Sequence, residues 1–181
     1  RNGLARTAPA GENDGAAERR GERSTGRRAA GATARAVPQE GSMGVEKLVI
    51  TLAGVRFDAR LETQKAPATC AAFLKHLPFR NKAIHVRWSG QAVWIPLGDM
   101  QFGVGFENAT CYPAPGEVVL YPGGVSETEI LLAYGRVAFA SMAGPLAGNH
   151  FLTITSNLDK LPELGNKVLW EGAQDISFER V

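Results

Sequence analysis

The sequence has few of the features that would tie a protein to an oxidising compartment, a membrane or a cofactor. It contains only two cysteines among 181 residues, Cys70 and Cys111, which is too few for a disulfide framework and favours free thiols in the cytoplasm. No apolar run approaches the ~20 residues of a membrane-spanning helix, and no hydrophobic secretory segment opens the chain. No spacing of His, Cys, Asp and Glu is typical of a metal site, so we expect neither a metal nor a cofactor.

Basic residues are scarce outside the first quarter of the chain. Residues 1–44 contain eight arginines and five acids, whereas residues 45–181 contain twelve basic and thirteen acidic residues. The larger part therefore has no basic stripe, and nucleic-acid binding is not expected. The first part is rich in Arg, Ala and Gly and cannot bury enough apolar surface to offset its ordering entropy. We expect 1–44 to be a disordered tail and 45–181 to be one folded domain.

Short segments of period-two hydrophobicity, separated by Gly and Pro turns, dominate residues 45–181. This pattern predicts many short antiparallel strands. The predicted strands are Val45–Ala53, Val55–Leu61, Ala83–Trp88, Ala92–Ile95, Glu117–Tyr121, Glu129–Tyr134, Val137–Ser141, His150–Thr155, Lys167–Glu171 and Asp175–Val181.

Two segments change to a helical period. An apolar stripe that includes Cys70 and Phe73 predicts a helix over Ala66–Leu77, opened by a proline in its first turn. Leucines spaced by three predict a short helical turn over Leu158–Leu164, ended by Gly165. The fold class predicted from these elements is mostly β, a closed barrel with one main α-helix and a short second helix.

The stretch that carries the most unusual polar residues is Ile84–Ile95. Its alternation places Trp88 on one face of a strand and His85 with Arg87 on the other face. Trp88 and Trp94 are expected either to form an aromatic wall or to pack in the core. The planar fork of Arg87 suits a carboxylate, carbonyl or phosphate. The alternative is an ion pair that only joins strands, with Glu107, Glu127 or Glu129 as the partner. A hydrogen-bonded structural histidine is the alternative for His85.

The segment Gly135–Ile154 resembles the central segment of the cyclophilins, because it contains Ser141-Met142, then Ala143-Gly144-Pro145, then a turn rich in Asn and Gly. The order of elements is similar as well: a hairpin, a helix opened by proline, then a strand that carries His85 and Arg87. The resemblance implies a cyclophilin-like barrel with a binding groove on its outer wall. It also implies that Arg87 takes the place of the arginine that polarises a prolyl amide.

The sequence departs from the cyclophilins at three groove positions. His150 stands where they have glutamine, Leu152 replaces the second phenylalanine, and Leu158–Lys160 contains no tryptophan. These departures indicate that the groove takes a ligand other than proline.

Four motifs are similar to those of an uncharacterised bacterial family with a cyclophilin-like barrel. They are His85–Gly90, Glu107–Thr110, Tyr121–Ile130 and Ala147–Phe151. This resemblance implies a compact barrel of unknown activity.

The polar and aromatic residues of these motifs form the candidate site. The predicted ligand-binding residues are Arg87, His85, Trp88, Glu107, Tyr121, Glu127 and His150. The leading hypothesis is the binding of a small molecule or a peptide. An enzyme remains an alternative, either a weak peptidyl-prolyl isomerase or a hydrolase of amide metabolites, although the sequence identifies no catalytic residue. A homo-oligomer formed through exposed aromatics is a further expectation.

Overall fold

The structure is a computed structural model and describes residues 46–181. The segment 1–44, expected to be a disordered tail, lies outside the described residues. The helices are α1 (Pro67–Leu74) and α2 (Leu161–Glu171), the second preceded by a 3-10 turn at Leu158–Lys160. The strands are β1 (Lys47–Leu52), β2 (Val55–Leu61), β3 (Phe79–His85), β4 (Gly90–Pro96), β5 (Ala109–Thr110), β6 (Glu117–Tyr121), β7 (Glu129–Val137), β8 (Ala140–Ser141), β9 (Gly144–Pro145), β10 (Gly148–Ile154) and β11 (Gln174–Arg180).

Eight of these strands form a closed antiparallel barrel, which confirms the predicted fold class. Their order is β2-β1-β11-β3-β4-β7-β6-β10, and β10 pairs back with β2 to close the ring. Closure leaves the barrel without a free strand edge. Side chains such as Ile50, Phe57 and Phe151, all less than 1% exposed, fill the interior. Any binding site must therefore lie on the outer wall or at an end.

The two helices cover opposite ends of the barrel. Phe79 begins β3 and its ring lies 5.6 Å from that of Phe73 in α1. His85 ends the same strand and bonds to Tyr134, whose ring packs against Gly165 of α2. No helix within residues 46–181 has the length and apolar character needed to cross a membrane.

The predicted strand at Lys167–Glu171 is wrong, because this segment is the second half of α2. Gly165 does not end a helical turn but lies inside the helix, where a Cβ would stand 2.5 Å from three ring carbons of Tyr134. Leu161, Leu164 and Val168 are buried and form the apolar stripe of the helix. The glycine is therefore explained by the close approach of an aromatic ring and not by helix termination.

The predicted orientation of residues 84–88 is also wrong. The alternation of β3 is set by Phe79 and Ala83, which are buried in the barrel, so that His85 follows them on the inner face. The strand ends at His85 and the chain leaves the barrel wall there. Arg87 and Trp88, expected on opposite faces of a strand, are consequently both exposed, Trp88 by 57%.

Candidate functional site

A second apolar cluster lies on the outer wall of the barrel, over β4, β6 and β7. The segment 138–147, which contains the β8–β9 hairpin, covers this wall. Strand β7 is consequently buried on both faces, and all residues from Glu129 to Tyr134 are buried. The members of this outer cluster are Val86, Ala92, Val119, Tyr121, Leu131, Phe139 and Leu146.

A groove opens beside the outer cluster, where the loop after β3, the loop before β7 and the segment 138–147 meet. We call it the outer groove, and its volume is about 150 Å³. It brings together side chains from positions that are far apart in the sequence. The lining side chains that carry chemistry are Arg87, Trp88, Trp94, Glu127, Glu129 and Met142.

Ser89 fixes one wall of the outer groove. Its hydroxyl donates to the carbonyl of Ala140 at 3.0 Å and accepts the backbone N–H of Ala140 at 3.1 Å. Its own carbonyl accepts the N–H of Ala138 at 3.0 Å. Because Ser89 is only 3% exposed, these bonds are shielded from water and hold the loop that carries Arg87 and Trp88 against segment 138–147.

Tyr121 supports the opposite wall from beneath. Its hydroxyl accepts the backbone N–H of Val125 at 3.2 Å, which ties down the loop before β7. Its ring packs edge-on against Phe139, with 6.2 Å between the ring centroids. Tyr121 was predicted as a ligand-binding residue, and the structure places it under the groove wall, 3% exposed.

The floor of the groove contains a buried carboxyl group. Glu129 is the first residue of β7 and is 7% exposed. Within residues 46–181 its carboxyl group has no hydrogen-bond partner. Burial, together with the nearby charge of Glu127, raises the pKa of Glu129 from 4.5 to about 7. Glu127 itself is exposed, and its Oε2 accepts the N–H of Gly98 at 2.9 Å.

Trp94 lies beside Glu129 on the outer face of the barrel. In the β4–β7 register Trp94 pairs with Leu131, two residues along from Glu129, so the two side chains are diagonal neighbours on the outer face. The indole N–H of Trp94 is buried and has no acceptor in the part of the chain that the structure describes. Trp88 and Met142, 57% and 86% exposed, contribute the apolar rim.

Arg87 lies exposed at the rim of the groove. Among the described residues, no carboxylate oxygen comes within 4.0 Å of its guanidinium. The structure therefore contains none of the ion pairs with Glu107, Glu127 or Glu129 that were the alternative to a binding role. All five donors of the side chain remain available to a partner from solution.

His85 does not reach the groove. Its Nδ1 lies 2.7 Å from the carbonyl of Val86, and its Nε2 lies 2.8 Å from the hydroxyl of Tyr134. Nδ1 must donate to the carbonyl, so in the neutral ring Nε2 accepts the tyrosine proton. Both ring nitrogens are thus occupied within the protein, as the structural alternative anticipated.

Glu107 lies apart from the groove, at the N-terminus of α1. Its Oε1 accepts the backbone N–H of Thr69, in the first turn of that helix, at 2.5 Å. Its own backbone N–H donates to Oδ1 of Asn149 at 3.0 Å. A carboxylate in this place accepts a hydrogen bond from a helix N–H group and interacts favourably with the positive end of the helix dipole. Glu107 therefore has a structural role.

His150 belongs to a separate polar chain. The hydroxyl of Thr153 donates to Glu62 at 2.6 Å and accepts from Nε2 of His150 at 2.9 Å. Nδ1 of His150 lies 3.7 Å from Glu117. Burial raises the pKa of Glu62, but the bonds from Thr153 and Arg60 outweigh it and the net pKa is lowered.

The two cysteines lie outside the outer groove. Cys70 is buried, its Sγ donates to the carbonyl of Phe151 at 3.3 Å, and burial raises its pKa to about 12, so its thiolate is strongly disfavoured. Cys111 is half-buried and also free. In the described part of the chain no three His, Cys, Asp or Glu side chains converge to hold a metal ion.

Three of the seven predicted site residues, Arg87, Trp88 and Glu127, meet in the outer groove, whereas His85, Glu107 and His150 lie elsewhere. Glu129 and Trp94 were not among them. Both stand in unbroken apolar runs, Glu129 at the start of one and Trp94 inside another. Such runs are typical of strands buried on both faces, and this was the available signal that a polar group there would be buried.

Comparisons with known proteins identify the fold but no activity. The family model described as "Protein of unknown function (DUF3830)" matches residues 48–180. No curated protein matches the sequence.

Solved structures with a similar fold include the following two. The structure of McbB in complex with tryptophan has a TM-score of 0.57 at 17% identity, over 74% of this chain and 44% of McbB. The solution structure of the hypothetical protein AF2241 from Archaeoglobus fulgidus has a TM-score of 0.53 at 20% identity, over 78% of this chain and 99% of that one. The chain thus spans less than half the length of McbB, and identities this low concern the fold alone.

Proposed function

We propose that this chain, which belongs to the DUF3830 family of proteins of unknown function, binds a small polar molecule in the outer groove. One observation carries the proposal: the groove combines the guanidinium of Arg87, two indoles and the carboxyl group of Glu129, which is 7% exposed. Neither of these two charged side chains forms an ion pair among residues 46–181. Unpaired polar groups around a concave apolar surface are typical of ligand sites.

The size of the groove favours a small molecule over a peptide segment. A cavity of ~150 Å³ accommodates a ring of the size of benzene, and the groove has about this volume. One side chain of a peptide would fit, but a peptide backbone would have to lie outside on the rim. Arg87 on this rim is placed to bind a carboxylate or carbonyl group, and Trp88 is placed to stack on an apolar part.

A thermal-shift screen of the full chain tests this proposal. The compounds are small carboxylates, amides, amines and proline peptides, and Arg87→Ala is measured beside the parent. A ligand at a hundred times its Kd adds about 2.7 kcal/mol to stability, and Arg87→Ala should remove this gain. The matched control is Arg56→Ala, which changes an exposed arginine of β2. A ligand whose effect survives in Arg87→Ala and vanishes in Arg56→Ala would contradict the proposal.

A hydrolase-type enzyme acting on amides is the second candidate, and the Glu129 carboxyl favours it. A group with a pKa of about 7 in a groove is suited to general acid–base catalysis at neutral pH. Glu129→Gln should then lower the rate of amide cleavage by a factor of roughly 10² to 10⁴. Ammonia release from amide metabolites measures this, and an unchanged rate in Glu129→Gln would exclude the role.

Other expectations remain proposals. Prolyl isomerase activity would depend on Arg87, and a proline-peptide assay without rate enhancement would end that hypothesis. A cyclophilin-like relationship, a bacterial origin and a cytoplasmic location are proposed from the sequence motifs and the two unpaired cysteines. Light scattering of the full chain would decide whether it forms a homo-oligomer.

A further inference from the structure

The buried carboxyl of Glu129 is the feature of the outer groove that most restricts its ligand. An ionised carboxylate removed from water is strongly unfavourable unless a cation or several donors compensate it. Glu129 is 7% exposed, it lines the groove, and no donor among residues 46–181 reaches it. Glu127 adds a second carboxylate at the same place. Above its pKa of about 7, Glu129 therefore adds a negative charge to the floor of the groove, and no basic side chain among residues 46–181 forms an ion pair with it.

The walls around these carboxyl groups are aromatic. Trp88 and Trp94 present indole surfaces to the groove, and Met142 adds a thioether. Indole is the aromatic group that attracts cations most strongly, and aromatic walls are the usual means of binding ammonium groups. Because Trp94 and Glu129 are diagonal neighbours on one sheet face, a cation between them would contact an indole and a carboxylate at once.

The chain does not supply this cation from its own described residues. Arg87 is the basic residue of the groove lining, yet its guanidinium is more than 4.0 Å from every carboxylate oxygen of residues 46–181. A metal ion is a poor fit, since no three His, Cys, Asp or Glu side chains of the described part converge. In the free protein protonation relieves this cost, because the pKa of Glu129 is about 7. A cation that compensates the ionised carboxylate would come from a bound molecule.

We infer that the ligand of the outer groove is a small organic ammonium compound, whose cationic group lies between the carboxyl of Glu129 and the indoles of Trp88 and Trp94. This inference rests on the proposed binding function and names its ligand class. Arg87 at the rim binds an anionic group on the other end of the same molecule, so the preferred ligand is zwitterionic. The binding is reversible and involves no covalent step.

The titration of Glu129 gives this inference a characteristic pH dependence. The pKa of Glu129 is about 7 in the free protein because of burial and the charge of Glu127. An ammonium ligand binds the ionised carboxylate, so its affinity should rise about tenfold between pH 6 and pH 8 as the ionised fraction increases. A ligand that accepts a hydrogen bond from the protonated carboxyl would instead bind more weakly at pH 8.

Nuclear magnetic resonance of the full chain labelled with ¹⁵N-tryptophan tests the inference. The three indole N–H signals report on Trp88 and Trp94 in the groove and on Trp170, which is 82% exposed on α2 and serves as an internal control. The probes are benzylamine, benzoate and benzamide, which share one ring and differ in charge, and the zwitterion phenylglycine. Variants Glu129→Gln and Arg87→Ala are compared with Glu171→Gln, an exposed carboxylate beside Trp170.

The expected result is that benzylamine and phenylglycine shift the signals of Trp88 and Trp94 but not of Trp170. Glu129→Gln should weaken both at least tenfold, Glu171→Gln should change neither, and Arg87→Ala should remove the advantage of phenylglycine over benzylamine. If Glu129→Gln does not fold, the tenfold rise in benzylamine affinity from pH 6 to pH 8 in the parent protein gives the same information.

Two other results separate this inference from the proposed function. If benzoate or benzamide binds through Arg87 while benzylamine does not, or if benzylamine binds equally well to Glu129→Gln, the ammonium inference is overturned and the groove remains a ligand site. If no probe shifts either groove signal, the inference and the proposed function both fail.

Discussion

Glu127 and Glu129 line the same groove, but in the described structure only Glu127 has a hydrogen-bond donor, the N–H of Gly98 at 2.9 Å. Glu129 is two residues further along and is the buried first residue of β7. Burial and the charge of Glu127 both disfavour ionisation of its carboxyl group and raise its pKa. The arrangement makes the ionised form of Glu129 a source of instability in the free protein. Such local costs are typical of groups whose position is set by a function.

Glu129→Gln should stabilise the protein above neutral pH. The folded-state pKa of about 7 lies above the ordinary 4.5, so the folded state holds this proton more tightly than the unfolded state. Its contribution is favourable at low pH and is lost as the pH rises from about 4.5 to about 7. The penalty at pH 8 is of the order of 3 kcal/mol. Urea unfolding followed by tryptophan fluorescence at pH 5 and pH 8 measures the difference.

The variant should therefore exceed its parent by up to about 3 kcal/mol at pH 8 and by much less at pH 5. Glu171→Gln, an exposed carboxylate of α2, serves as the control and should change little at either pH. An equal effect of Glu129→Gln at both pH values would show that Glu129 is not the group that titrates.

Arg87→Ala should leave the stability of the free protein nearly unchanged. The side chain is exposed and no described carboxylate pairs with it, so a change within about 0.5 kcal/mol is expected from urea unfolding. Arg60→Ala is the comparison, because Arg60 donates to Glu62 at 2.8 Å and its loss should cost about 1 kcal/mol. If Arg87→Ala lowered the free energy of unfolding more than Arg60→Ala does, Arg87 would have a structural role in joining strands and not a ligand-binding role.

The sequence predicted the barrel well because turns and strand patterns agree along most of it. Strands Val55–Leu61 and Glu117–Tyr121 have the predicted bounds. The turn residues Gly54 and Gly116 directly precede them, and Pro122 directly follows the second strand. Local signals of this kind are independent of the partner strand. They identify each element without knowledge of its neighbours in the barrel, and short antiparallel connections then restrict the order of the strands.

The errors arose where a distant contact decides the local structure. Gly165 looked like a helix terminator, but the ring of Tyr134 occupies the space of its missing side chain. The face of His85 depends on where β3 begins, and this is set by packing of Phe79 in the core. Neither contact is visible in a local pattern.

The groove could be predicted only in part for the same reason. Arg87, Trp88 and Glu127 stood out by residue type, and all three line the groove. Residue type alone could not distinguish them from Glu107, which serves α1, or from His150, which bonds to Thr153. This distinction depends on which loops meet in space.

Tyr134→Phe should test the structural role of His85. The change removes the hydroxyl that lies 2.8 Å from Nε2 of His85 and should cost about 1 kcal/mol of unfolding free energy, because a half-buried acceptor loses its donor. Ligand binding in the outer groove should not change, since neither residue lines it. If Tyr134→Phe weakened ligand binding without lowering stability, His85 would have a role in ligand binding and not only a structural one.

Ser89→Ala should loosen the outer groove. The variant removes both bonds between the Ser89 hydroxyl and the backbone of Ala140, which should cost about 1–3 kcal/mol because the Ala140 groups are left without their partner. Hydrogen exchange at Ala140 should accelerate and ligand affinity should fall. Ser156→Ala is the control, since the Ser156 hydroxyl accepts the exposed N–H of Asp58 at 2.7 Å and does not line the groove. Similar effects of both variants on ligand affinity would contradict a specific role of Ser89.

Gly165→Ala should destabilise the protein although alanine is the better helix former. The intrinsic preference of a helix for alanine over glycine is about 1 kcal/mol. Against it stands a Cβ that would lie 2.5 Å from ring carbons of Tyr134, and overpacking of this kind costs about 1–3 kcal/mol. Asn166→Ala at the exposed neighbouring position reports the helix preference alone and should be stabilising. In a Tyr134→Leu background the penalty of Gly165→Ala should shrink, and a penalty of unchanged size there would mean that the ring is not the obstacle.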